Sequence, residues 1–404
     1  MIKLVRWKYP MILLTGVGIS TIGEWVYFVA LNLIVYEMTG SPLAVSGLYI
    51  LKPLATICTN FWAGSMIDRL NQRNVMIFLD IFRALFIAIL PFMSSIVFIY
   101  MIVFIINMAS SMFAPASLTY ITKLIPQENR KTFNALHSLI TSGAFLVGPA
   151  VAGVLFLIGT PTAAIFINAL ALLLSGLVTF FIPSFKNANE NSNTRLSVVM
   201  LKQDLQAVIA FSKSYQFIIV IYFLFSCVLV VMATAVDSLE AAFAKDVLIL
   251  TNSEYGFLVS IAGAGVIIGA LFNTLIVNIV KTSFLIGVGP VLVSIGYFIY
   301  AFSNTFLAAS IGFFTLAFFI AFANTGFLTF FQNNIPVHLM GRIRSVYQLI
   351  EAMLIIIFTS VMGLSAQFYS IQLVVVLGVL VMMLFSLVLC GLCLIPSKRL
   401  YFNG

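Results

Sequence analysis

The chain has 404 residues, of which 62% are hydrophobic and only 8% charged, against about a quarter charged in an average soluble domain. That balance excludes a soluble globular protein. The net charge of +8, from 20 Lys and Arg against 12 Asp and Glu, then reads as a membrane-orientation signal rather than a nucleic-acid surface.

Twelve apolar stretches predict membrane-crossing helices, near residues 11–36, 43–67, 74–93, 96–123, 133–158, 162–185, 214–243, 253–279, 283–302, 306–334, 342–367 and 371–396. A helix needs about 20 apolar residues to cross the hydrocarbon core. The predicted class is an all-α membrane protein of twelve transmembrane helices. The first span is too long for the apolar core of a cleavable signal. With the N-terminus inside, every Lys and Arg except Lys52, Arg83 and Lys245 falls in a cytoplasmic segment. This predicts a multi-pass plasma-membrane protein with both termini cytoplasmic. Cys58, Cys227, Cys390 and Cys393 all fall within spans and read as small packing residues.

Span 1 carries Glu24 near its middle, and Phe28 and Asn32 follow on the same face at i,i+4 spacing. A charge at mid-bilayer costs about 2.5–3.5 kcal/mol on insertion scales, so an acid there points to proton coupling or substrate binding. Lys52 of span 2 falls at a similar depth on the antiparallel neighbour. The two could form a pair that protonation of Glu24 breaks; a static pair, or a lysine snorkelling outward, is the alternative. The turn after span 2 reads Gly64-Ser-Met-Ile-Asp68-Arg69-Leu-Asn-Gln-Arg73, an acid set among bases. Asp80 and Arg83 stand i,i+3 on span 3. Span 4 offers Asn107, Ser111 and Met112, and has no acid or arginine before Lys123. Span 5 contains Gly143-Ala-Phe-Leu-Val-Gly148-Pro149-Ala-Val-Ala-Gly153. Its small residues let helices pack closely, and Pro149 bends the helix.

The largest polar break covers 186–213. Its Asn-rich start predicts a flexible linker, and the apolar spacing regained over 197–210 predicts a short helix on the membrane surface. The chain thereby divides into an N-terminal half, 1–185, and a C-terminal half, 214–404, of six spans each. Asp237 and Glu240 lie near the outer end of span 7, where a solvated acidic mouth and a cation or proton entry site are both open readings. Tyr222 and Phe225 of span 7, with Phe322, Asn324 and Phe327 of span 10, present aromatic and amide surface that suits large amphipathic solutes. Glu351 of span 11 lies above Arg342 and Arg344, to partner a base or to bind substrate.

Together these residues resemble the major facilitator family of transporters, whose outline is two six-helix halves joined by a cytoplasmic linker. The turn from Gly64 to Arg73 resembles that family's signature G-x-L-x-D-R-x-G-R-[RK]. Gly64, Asp68, Arg69 and Arg73 match, and Asn71 stands where glycine is usual. The resemblance implies that Asp68 accepts from the N-terminal amides of span 11 near Arg342, latching the cytoplasmic side shut. Asp80 and Arg83 then read as support for the latch. It also implies a substrate cavity between the halves, lined by spans 1, 4, 7 and 10.

Gly23-Glu24-Trp25, Phe113-Ala-Pro115-Ala116 and Ile335-Pro336-Val-His-Leu-Met-Gly341-Arg342 look like the branch holding macrolide efflux permeases and the enterobactin exporter, which usually has Asp where Glu24 stands. The span 5 run resembles a motif of exporters that exchange substrate for protons. Gly148, Pro149 and Gly153 fit, and Ala152 replaces one glycine. Related antiporters often carry an arginine in span 4. This chain lacks it there, so coupling must use other groups.

No nucleotide loop G-x-x-x-x-G-K-[ST], no H-E-x-x-H and no G-x-S-x-G occurs. The expectation is no enzyme, no cofactor, no metal and no nucleic-acid partner. The chain reads as a monomeric secondary exporter, in the lipid bilayer, of a hydrophobic or amphipathic small molecule, drug- or siderophore-like, driven by protons. A lipid or lysophospholipid flippase of the same fold and a non-transporting membrane sensor or scaffold are the alternatives.

Overall fold

A computed structural model of the chain describes residues 2–126, 129–185, 198–276 and 279–402, with side chains except at 2–6, 60–69, 131, 198–204, 337, 338 and 399. The described residues are almost wholly helical, without strands, and hold 12 helical spans long and apolar enough to cross a membrane. In chain order they run α1 (Ile2–Thr39), α2 (Pro42–Arg69), α3 (Gln72–Ile89), α4 (Ile96–Leu124), α5 (Arg130–Ile158) and α6 (Pro161–Phe180). There follow α7 (Val198–Ser214), α8 (Gln216–Ser226), α9 (Ala233–Asp237), α10 (Glu240–Asp246) and α11 (Asn252–Ile276). The last four are α12 (Thr282–Ala301), α13 (Phe306–Asn334), α14 (Val337–Phe368) and α15 (Ile371–Leu394).

Side chains are distributed the opposite way from a soluble protein. On α3, Phe78 and Leu85 are 62% and 57% exposed, while Asp80 on the inner face is fully buried and Arg83 nearly so. An apolar outside around a polar inside is stable only with lipid as the solvent. Backbone polarity is met within each helix, and caps serve the ends. Asn71 is extended, and its side-chain oxygen accepts from the Asn74 amide at 3.3 Å. Its own amide donates to Ser184 Oγ at 2.7 Å and to the Phe185 carbonyl at 3.2 Å. A glycine could do neither, which gives the unusual Asn71 a local reason. Thr305 and Ser370 cap α13 and α15 in the same way.

Two compact units emerge from the packing. The first comprises 1–40, 51–194 and 252–260; the second 41–50, 195–251 and 261–404. Within the first, α1 packs on α5 and α6, and α3 on α4 and α6. Its core gathers Leu13, Met76, Met112, Tyr120 and Phe133. In the second unit α12 packs on α13 and α15, and the core gathers Phe211, Tyr222, Phe225, Phe330, Tyr347 and Leu389. The third span of each half of the sequence thus meets the fourth and the sixth.

Helix α7 covers 198–210 of the predicted surface segment and runs on to Ser214. Its end is packed against protein: Phe211 is buried, and Ser212 Oγ lies 2.7 Å from the Tyr347 hydroxyl. Span 7 departs from the uninterrupted helix expected over 214–243. It is α8, then a π-helical stretch Cys227–Met232, then α9, with a turn before α10. Within the stretch the Ala233 amide reaches back to the Val228 carbonyl, five residues earlier. The β-branched Val228, Val230 and Val231 crowd an α-helical turn, which fits the wider winding.

Candidate functional site

The described residues of the first unit hold a buried charge cluster. Arg83 of α3 donates to Glu24 Oε1 of α1 at 2.9 Å and to Ser110 Oγ of α4 at 3.3 Å. It also pairs with Asp80, one turn earlier on α3. Asp80 accepts on its other oxygen from Ser175 Oγ of α6 at 2.9 Å. The guanidinium lies 4.7 Å from the centre of the Phe113 ring, a favourable stacking contact. Four helices therefore meet at one cluster: α1, α3 and α4 on the guanidinium, whose planar fork serves several acceptors at once, and α6 through Asp80. Asp80 is fully buried, whereas the Glu24 side chain is 48% exposed. One arginine faces two carboxylates, so the ionised cluster carries one excess negative charge.

A second feature of this unit is the α5 seam. A Cβ on Gly148 would fall 2.5 Å from Trp25 Cβ and 3.0 Å from the Ile22 carbonyl. This glycine seats α1, with Glu24, against α5. Further along, a Cβ on Gly256 would meet the Gly153 Cα at 2.8 Å, so the start of α11 touches α5 backbone to backbone. Ser260 Oγ then donates to the Leu146 carbonyl at 2.7 Å. Gly143 has open space beside it.

In the second unit Glu351 of α14 is buried and accepts from Ser226 Oγ at 2.6 Å; Tyr222 also hydrogen-bonds to it. Around it the aromatics close up. Phe225 stacks on Phe327 with centroids 4.1 Å apart, and Tyr222 meets Phe327, Phe331 and Tyr347 at 5.3, 5.9 and 4.9 Å. At the end of span 7, Asp237 accepts from the Tyr297 hydroxyl of α12 at 2.8 Å, and Glu240 is buried.

Several sequence expectations change. The Glu24–Lys52 pair does not form: Arg83 takes Glu24, and Lys52 is exposed with no ion pair among the described residues. Arg83 engages Glu24 as well as Asp80, which i,i+3 spacing alone did not reveal. Glu351 is held by hydroxyls, and among the described residues it makes no ion pair with Arg342 or Arg344. Both of those arginines are exposed. Asn32 and Met112 are 1% and 7% exposed and belong to packed interior, not to an open lining. Tyr222, Phe225 and Phe322 are buried too, while Asn107, Phe28 and Phe327 are partly open and Asn324 is exposed. Gly64, Asp68 and Arg69, the centre of the predicted latch, lie outside the described side chains. Arg73 is described: it donates to the carbonyls of Thr179 and Phe180, capping the C-terminal end of α6. The arginine missing from span 4 has a counterpart here, since Arg83 delivers its guanidinium to α4 from α3. The sign of this in the sequence was a second intramembrane acid, Asp80, beside the only arginine buried in the span.

Comparison with known proteins accords with this architecture. Residues 13–359 match the Major Facilitator Superfamily. An uncharacterized MFS-type transporter, YfiS of Bacillus subtilis strain 168, is 25% identical, over 97% of this chain and 95% of its own. A substituted form of the nucleoside transporter NupG superposes with a TM-score of 0.79 at 12% identity, over 95% of this chain and all of that one. A bacterial homolog of the human lysosomal transporter Spinster, inward-facing and occupied, gives a TM-score of 0.72 at 12% identity, over 98% of each chain. At such identities the structural likeness speaks for the fold alone.

Proposed function

The chain belongs to the Major Facilitator Superfamily, and we propose that it is a proton-driven exporter of a hydrophobic or amphipathic small molecule. The observation that carries the coupling is the charge imbalance at Arg83, one guanidinium against Glu24 and Asp80. Asp80 is sealed in and held by Arg83 and Ser175; Glu24 is the half-exposed member, able to exchange a proton. Protonating Glu24 neutralises the excess charge and weakens its bond to Arg83. That loosens α1 from α3 while Asp80 keeps Arg83 in place.

Export is supported by the Gly148-Pro149 run of α5 and its likeness to substrate–proton exchangers. In this reading 1–185 and 214–404 are the moving halves, 186–213 links them, both termini are cytoplasmic and Asp68 latches the cytoplasmic side. The partly open Phe28, Asn107 and Phe327, with exposed Asn324, offer aromatic and amide contacts to cargo.

The test is uphill transport in proteoliposomes with an imposed pH gradient, using a macrolide and a fluorescent amphipathic cation as cargoes. Wild type should accumulate cargo against its gradient. Glu24→Gln should bind cargo yet fail to move it uphill. Uphill transport by Glu24→Gln at the wild-type rate would remove Glu24 from the coupling role.

A further inference from the structure

Helix α6 presents α1 with an amide that nothing among the described residues answers. Asn168 is 0% exposed, and neither its Nδ2 nor its Oδ1 has a hydrogen-bond partner among them. A buried amide left open on both atoms is costly and rare, and it points to a partner met in another state. What it faces is Gly23. A Cβ there would fall 2.7 Å from Asn168 Oδ1 and 3.4 Å from its Cα, so α1 turns only a Cα hydrogen to the amide. The next residue is Glu24, whose Cα therefore lies within about 8 Å of that oxygen. The same two helices meet again at Gly16, where a Cβ would come 3.6 Å from Ser175 Oγ, the hydroxyl that holds Asp80. Asn168 and Ser175 stand i,i+7, so one face of α6 carries both the anchor of Asp80 and the open amide.

We propose that Asn168 is the seat of the protonated Glu24 carboxyl, a positioning residue for the coupling step; this rests on the reading of Glu24 as the acid that takes up the driving proton. The two states of a carboxyl want different partners. Ionised, Glu24 only accepts, and Arg83 has only donors to give. With a proton bound, the neutral acid carries one donor and one acceptor. Arg83 cannot accept from that O–H, whereas a primary amide answers both groups at once. Protonation thus transfers Glu24 from α3 to α6, and α1 shifts with it. The groups around Glu24 leave the choice to these two partners. Asp80 is taken by Arg83 and Ser175. Ser110 and Phe113 of α4 address the guanidinium, and Lys123 at the end of α4 bonds Gln72. Lys52 of α2 is exposed. Helix α6 has no charged residue, and Arg130, Lys131 and His137 lie in the first third of α5. On α1 itself Tyr27 is the nearest titratable group in sequence, a buried hydroxyl without a partner among the described residues.

The test is infrared difference spectroscopy of the reconstituted full chain between alkaline and acid pH. Wild type should show the band of a protonated carboxyl that Glu24→Gln abolishes. Asn168→Leu keeps the heavy-atom skeleton of the side chain and removes both hydrogen bonds. In this variant the band should move to higher frequency. The pH at which it appears, and with it the pH profile of uphill transport, should fall by about one unit. At alkaline pH the unfolding midpoint of Asn168→Leu in detergent should equal or exceed that of wild type, because two unanswered polar atoms are gone. Asn168→Ala reports the same band if Asn168→Leu does not express. A band that keeps its frequency and its pH in these variants overturns the proposal, as does the absence of any Glu24 band. An unmoved band with a lowered midpoint also overturns it and assigns Asn168 to packing alone. Uphill transport by Glu24→Gln at the wild-type rate overturns the coupling reading and with it the positioning role; the band then shows separately whether the seat exists.

Discussion

On α3 the pair Asp80 and Arg83, three residues apart, faces α1, α4 and α6; on α12 the pair Tyr297 and Tyr300, with the same spacing, faces the acids that end span 7. Each is the third span of its half, and each presents its polar pair inward on successive turns. The difference lies in how burial of acid is made tolerable. The first unit carries its own cation and leaves one carboxylate in excess. In the second, Asp237 is met by the Tyr297 hydroxyl, which orients an acid but does not neutralise it. The first arrangement holds a charge that a single proton can cancel, and the second holds an acid oriented by a neutral donor.

This contrast can be broken experimentally. Arg83→Gln should have the largest effect, because it strands Asp80 in the interior. Removing one partner of a buried pair costs about 3–5 kcal/mol. We expect a sharply lower unfolding midpoint in detergent, restored in part by adding Asp80→Asn. If Arg83→Gln is as stable as wild type, the cluster is not what holds α1, α3 and α6 together.

Tyr297→Phe should be milder. It removes one hydroxyl donor from Asp237, a loss of about 1–3 kcal/mol for a buried acceptor. A cost equal to that of Arg83→Gln would erase the distinction between the units. Glu24→Gln should cost less than about 1 kcal/mol, since the half-exposed side chain gains little from its ion pair. Its unfolding curve should overlie wild type while uphill transport fails. Smallest of all should be Glu351→Gln. The amide oxygen still accepts from Ser226, and no cation is left without a partner, so a change within about 0.5 kcal/mol is expected. A large loss there would mean that Glu351 serves a base, contrary to the hydroxyl contacts described above.

The membrane class and twelve spans were legible because a 20-residue apolar run has few other uses. Glu24, Asp80 and Arg83 were legible as significant for the complementary reason, being charged where charge is costly. Their partnership was not. Whether Arg83 reaches Glu24 or only Asp80 depends on how α1 and α3 are rotated about their axes. That rotation is set by contacts such as Gly148 against Trp25, which no spacing rule encodes. The lining residues failed for a related reason. With 39 phenylalanines in the chain, apolar periodicity does not separate a lipid face from a core face, so Met112 and Phe225 looked as available as Phe327. Asn71 was read as a departure from a signature, when its amide had a capping task of its own.

The π-helical stretch at Cys227–Met232 has a consequence for how span 7 is indexed. Each i,i+5 winding stores one residue more than an α-helical turn would hold, which advances everything beyond it by about 100°. Tyr222 and Phe225 therefore lie on one register, and Asp237 and Glu240 on another. Deleting a single valine here should swing Asp237 off Tyr297 while leaving the stacking of Phe225 on Phe327 intact. Cysteines substituted at 237 and 297 would then lose their crosslink, and a pair at 225 and 327 would keep theirs. Span 7 is in effect two helices with independent phase, and a one-residue slip between them is a step that a continuous helix could not take.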